Sequence, residues 1–149
     1  RSLPLALLLK TILTENNEHI SILMNYLKAV QIEENQYLFH QGDTPDTLYF
    51  VESGEISTIV ELESGKNQRV QTLSAGTTIG EVEFYSQEAY AISAIAEQST
   101  KLYGLRFDDL QTMQKEHPEV AAVFSEFMTR SLANRLAFAQ KEITNLTAR

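Results

Sequence analysis

The stretch Gly76-Thr77-Thr78-Ile79-Gly80-Glu81-Val82-Glu83 holds the residues whose types and spacing suggest chemistry. Glycines ahead of a helix start leave backbone N–H groups open to an anion. A carboxylate at such a position accepts hydrogen bonds from hydroxyl groups, and the positive end of the helix dipole also favours it there for purely structural reasons. About ten residues further on, Tyr90-Ala91-Ile92-Ser93 offers a phenol, a hydroxyl and more backbone donors. Residues 70–100 contain no lysine or arginine, so an anion expected here finds no cation nearby in the sequence. Other chemistries find less support. Glu81 and Glu83 form a carboxylate pair, yet nothing else points to glycoside hydrolysis. His19, His40 and His117 lie far apart without metal-ligand spacing, and there is no cysteine, so no metal is assigned. No Ser/His/Asp triad and no phosphate-transfer lysine loop emerges, and the chain is not expected to be an enzyme.

Many short strands between helices must position these residues. Ile20, Leu23, Met24 and Leu27 recur at helical spacing, and Thr14 to Asn17 supply capping side chains ahead of them. From about residue 30 to residue 106 the pattern changes to short strands, with Gly42, Gly54, Gly65, Gly76 and Gly80 at candidate turns. Residues 56–62 alternate, with Ile56, Thr58, Val60 and Leu62 on one face and Ile59 the single apolar residue on the other. Ser64-Gly65-Lys66 reads as a hairpin tip leading to a return strand over residues 68–73. Further strands are predicted over 47–52, 91–96 and 101–106. Short strands at near-regular spacing argue for an antiparallel β-barrel or jelly roll, eight-stranded and flanked by helices. After Arg106 a short helix is predicted over 107–115, and Pro118 suits the first position of another. Phe124, Met128, Leu132, Leu136, Ala139, Ile143 and Leu146 then recur every three or four residues, a long amphipathic helix whose stripe suggests a core face, a homodimer seam or a moving lid.

The run Phe39-His40-Gln41-Gly42-Asp43-Thr44-Pro45-Asp46-Thr47-Leu48-Tyr49-Phe50-Val51-Glu52-Ser53-Gly54-Glu55 closely resembles the opening half of the cyclic nucleotide-binding domain family. Leu73-Ser74-Ala75-Gly76-Thr77-Thr78-Ile79-Gly80-Glu81-Val82 is similar to that family's run into its phosphate-binding cassette. The resemblance spans about residues 16–145. It implies a ligand such as cyclic AMP or cyclic GMP, a Gly80-Glu81 pair opening a short helix, and Glu81 holding the ribose 2′-hydroxyl. By the same resemblance Gly80, Glu81, Val82, Tyr90, Ala91, Ile92 and Ser93 line the ligand site. The family usually places Pro-Arg before its small residues and hydroxyl; here Ala89-Tyr90 stands there, and Glu83 replaces a small apolar residue. A guanidinium grips phosphate through a charge-assisted fork that a neutral phenol cannot supply. Losing one partner of such a buried pair costs about 2–5 kcal/mol, roughly 30- to several-thousand-fold in affinity. The expected function is therefore a regulatory module with a degenerate cassette and weak or lost nucleotide binding, unless Arg69, Lys101, Arg106 or a second subunit supplies the cation. Restoring arginine at position 90 is expected to restore affinity if the cradle is otherwise intact. The alternatives are an oligomerisation or docking module that binds no nucleotide and, in another class, a cupin-like metalloenzyme, which the histidine spacing disfavours.

Bulk properties limit the partners. The chain has 149 residues, a size for one domain, divided by expectation into a linker or N-terminal helix over 1–15 and the binding-type domain over 16–149. Its net charge is −8, and an acidic surface repels nucleic acid, so no nucleic-acid partner is expected. The apolar run over 3–13 is too short to span a membrane. Gly80-Glu81-Val82-Glu83-Phe84-Tyr85, with Leu102-Tyr103, His117-Pro118-Glu119 and residues 132–137, resembles the domain appended to some bacterial sulfate-permease-like transporters. That resemblance implies a cytoplasmic module attached to a membrane protein.

Overall fold

The computed structural model describes residues 4–13 and 16–148. Helix α1 (Leu5–Ile12) precedes α2 (Asn17–Met24), whose first turn is capped by the Asn16 side chain accepting from the His19 N–H. Thr14 and Glu15, part of the expected capping segment, lie outside the described residues. The helical stripe expected to reach Leu27 stops earlier. Met24 is exposed, and Leu27 opens strand β1 (Leu27–Ile32), where it pairs with Leu105. Sheet pairing overrides the local helical spacing there.

Seven more strands follow: β2 (Tyr37–Phe39), β3 (Thr47–Ser53), β4 (Glu55–Glu61), β5 (Asn67–Ser74), β6 (Thr78–Ile79), β7 (Ser93–Ala96) and β8 (Thr100–Arg106). They form two antiparallel four-stranded sheets, ordered β1-β8-β3-β6 and β2-β7-β4-β5. Eight antiparallel strands match the expectation, whereas the closed barrel does not: the sheets face each other as a sandwich, and β1, β6, β2 and β5 keep free edges. Gly54 turns β3 into β4 at φ +95°, and a Cβ there would run into Ser99 and Thr100. Gly65 forms the expected hairpin tip, with the Leu62 N–H donating to the Lys66 carbonyl at 2.8 Å.

Two hydrophobic clusters hold these layers. Phe39, Val51, Ile56, Ile79, Ala94, Ala96 and Leu102 fill the space between the sheets. Leu48, Phe50 and Leu105 pack outward against Leu9, Leu23, Met113, Phe124 and the rest of the helical layer. Strand β3 is thus covered on both faces, as its unbroken apolar run requires. In β4 the simple alternation fails: Ser57 and Ile59, on the second face, are buried along with Ile56 and Thr58, and Leu62 lies beyond the strand, exposed. Arg69 reaches over that face, its Nε donating to Ser57 Oγ at 3.0 Å and its far end pairing with Glu97. The chain closes with α4 (Phe107–Glu116) and α5 (Pro118–Thr147), a helix with proline in its first turn. Phe124 of α5 meets Phe50 edge-on, 6.2 Å between ring centres. Among the described residues no helix is long and apolar enough to cross a membrane.

Candidate functional site

Strand β6 delivers the chain to Gly80, which takes φ +81° and starts the short helix α3 (Glu81–Ser86). A side chain at Gly80 would press on the Tyr90 ring, its Cβ 3.3 Å from the phenolic oxygen, so glycine suits both the turn and the packing. Glu81, on the first turn of α3, is only 3% exposed. A buried carboxylate needs a partner, and Arg135 of α5 supplies it: the guanidinium pairs with Glu81 Oε1 from 54 positions away in the chain. Beside the pair lies a cavity of about 150 Å³ bounded by Gly80, Glu81, Val82, Glu83, Ile92 and Arg135, with Thr58, Gln71 and Leu73 of β4 and β5 on its far wall.

Tyr90 is not in that wall. It is 4% exposed, packed in the cluster between the sheets, and its ring stacks on Phe39 at 3.7 Å with 5° between planes. Its N–H donates to the Asp43 carbonyl while its own carbonyl accepts from Gly42, which ties the end of the cassette to the Gly42-Asp43 turn. Burial pushes its phenol well above the ordinary value, so it stays neutral. The Tyr90 ring thus packs in the cluster between the sheets, and its hydroxyl donates to the Thr47 carbonyl at 3.4 Å.

Ala91 and Ser93 are committed within the chain as well. The Ala91 N–H donates to Glu83 Oε2 at 3.5 Å, so a carboxylate of the protein faces a backbone donor that the family resemblance places in the ligand site. Ser93 is fully buried, and its hydroxyl accepts from the Gln41 N–H at 2.8 Å. Of the seven residues expected to line the site, the cavity brings together Gly80, Glu81, Val82 and Ile92, and not Tyr90, Ala91 or Ser93. None of the three basic residues named as substitute clamps reaches it. Arg69 is engaged by Glu97 and Ser57, Lys101 by Glu52, and Arg106 sits exposed at the end of β8. The absence of any cation, expected from residues 70–100, is corrected by Arg135, to which no local sequence signal pointed. It lies on a distant amphipathic helix among ordinary surface residues.

Comparison with known proteins bears on the fold that carries these residues. Residues 29–117 match the family model described as the cyclic nucleotide-binding domain. The chain belongs to that family. Among curated relatives, "Lysophospholipase nte1" of Aspergillus terreus is 26% identical over 106 residues, which is 71% of this chain and 7% of that protein. Human "Patatin-like phospholipase domain-containing protein 6" is 26% identical over 105 residues, 70% of this chain and 8% of that protein. The chain thus spans less than a tenth of the length of these relatives, which are fungal and mammalian phospholipases and not transporters. Among solved structures, a cyclic nucleotide-binding domain from Methylobacillus flagellatus superposes with a TM-score of 0.79 at 22% identity, covering 87% of this chain and 73% of that one. These structural likenesses speak for the fold.

Proposed function

We propose that the chain is a regulatory module of a larger protein, built on the cyclic nucleotide-binding fold, whose pocket binds cyclic AMP or cyclic GMP weakly or not at all. One observation carries this reading: the cavity wall presents two carboxylates, Glu81 and Glu83, against a single guanidinium, which Glu81 already engages. A cyclic phosphate entering it meets net negative charge and an N–H donor occupied by Glu83. The volume of about 150 Å³ is also below the roughly 300–1,000 Å³ of ordinary small-molecule sites. The module is not a catalyst; any catalysis belongs to other segments of the parent protein. We place it on the cytoplasmic side of a membrane-associated parent. The permease-like parent implied by motif resemblance is one candidate, and the domains flanking the module in the full gene product test that choice. Isothermal titration with cyclic AMP and cyclic GMP is expected to give millimolar affinity or none, and a low-micromolar dissociation constant would sink this reading.

A second reading, an oligomerisation or docking module, has its own support. From Ala133 onward every described residue of α5 is exposed, Leu136, Phe138, Ile143 and Leu146 among them. Leu132, Leu136, Ala139, Ile143 and Leu146 follow in alternating steps of four and three, the seam spacing of paired helices, so a second copy of this chain fits it.

A further inference from the structure

The Glu81–Arg135 pair joins two parts of the molecule that otherwise scarcely touch. α5 buries Val120, Ala121, Phe124 and Met128, and nothing beyond them. Among the described residues, no other ion pair or hydrogen bond links α5 past Met128 to another element; the remaining polar contacts there, such as Arg130–Glu126, stay within the helix. The guanidinium is half exposed while the carboxylate is buried, so Arg135 reaches in from the surface to pair a charge buried at the rim of the sandwich. Arg135 also stands at a boundary. It lines the 150 Å³ cavity and, with Gln71, Leu73 and Thr78, a neighbouring cleft of about 340 Å³ that runs beneath Leu8 and Ile12 of α1 and Phe127 of α5.

We propose that Arg135 is a built-in competitor for Glu81. It occupies the carboxylate, pins the outer part of α5 across the mouth of the pocket, and partitions one ligand-sized cleft into two smaller spaces. A ligand that presents a sugar hydroxyl to Glu81 must displace the guanidinium, and displacement frees the helix from about residue 129 outward. Occupancy of the pocket and the position of the helical stripe are thereby two readings of one ion-pair equilibrium. A ligand shifts that equilibrium only by its preference for the open form. The inference rests on the low-affinity reading above and deepens it, because competition for Glu81 weakens binding in addition to the net negative charge of the cavity wall.

Hydrogen–deuterium exchange on residues 129–147 of the whole chain tests it without any nucleotide. Arg135→Gln and Glu81→Gln are each expected to speed exchange there about fivefold to tenfold, the opening that loss of a partly exposed ion pair permits. The double variant is expected to exchange no faster than either single one, and Arg135→Lys, which keeps the charge without the fork, to fall between. Unchanged exchange in Arg135→Gln, or additive effects in the double variant, overturns the latch. Arg135 is half exposed, so its variants decide the matter even if Glu81→Gln fails to fold. Adenosine, which carries the ribose 2′-hydroxyl without a phosphate, probes the competition by NMR titration. It is expected to bind Arg135→Gln about tenfold tighter than the unaltered chain, and equal affinity overturns the competition. Tight cyclic AMP binding in calorimetry would defeat the low-affinity reading and leave the exchange result standing, so the two fail separately.

Discussion

At position 90 a neutral ring stands where the family resemblance implies an arginine, and the ring packs in the core. Stacked on Phe39 and bonded to the Gly42-Asp43 turn through its backbone, Tyr90 points into the sandwich and away from the cavity. Tyr90→Arg therefore places a guanidinium in the apolar cluster that holds Phe39, Val51 and Ile79, where it forfeits the hydroxyl's bond to the Thr47 carbonyl and feels Asp46, Glu83 and Asp43 only through space. We expect no gain in cyclic AMP affinity, and a loss of about 3 kcal/mol or more of stability from the unpaired charge and the lost stacking. Urea unfolding beside calorimetry reads both. This reverses what the sequence suggested, since motif alignment places a position along the chain without saying which face its side chain takes.

Among the elements, α5 has two halves of different character. Its 30 residues extend about 45 Å, further than the sandwich beneath can cover. The first half is anchored by Phe124 and Met128, both buried in the helical layer. The second half carries Leu136, Ile143 and Leu146 in water, an arrangement that favours a partner surface. If a second copy supplies it, sedimentation equilibrium is expected to show a dimer that Leu136→Lys with Ile143→Lys converts to a folded monomer. A monomer at high concentration in the unaltered chain removes the self-association reading. The apolar spacing was legible in the sequence throughout the helix, but not the point at which core contact ends, because that depends on the width of the sandwich.

For the molecule as a whole, several buried or bonded phenols set a limit at high pH. A hydrogen bond to Glu116, 2.6 Å long, together with partial burial and that carboxylate's charge, raises Tyr26 to about 12. Burial raises Tyr85 to about 12, and burial likewise raises Tyr49 and Tyr90. Unfolded, these phenols titrate near about 10. Above that value the unfolded chain holds fewer protons than the folded one, so the stability they contribute is complete below pH 10 and is lost as pH rises through their folded values. The urea midpoint is expected to fall steadily from pH 10 to 12, with phenolate absorbance rising together with unfolding. A flat midpoint across that window would show these phenols to be accessible in the folded state.

The sequence by itself determined the strand-rich middle, the turns at Gly54, Gly65 and Gly80, the helix opening at Glu81 and the proline-led final helix. Each follows from local backbone preference or from periodicity over a few residues. Only the tertiary structure decided that the sheets stay open at their edges, that β4 is covered on both faces, that Tyr90 turns inward, and that Arg135 meets Glu81. Those outcomes depend on which surfaces come together across tens of residues, and no local pattern encodes the distance between a helix face and a pocket rim. The charge missing from residues 70–100 was correctly read along the chain; in space, a helix from the far end of the molecule carries it back.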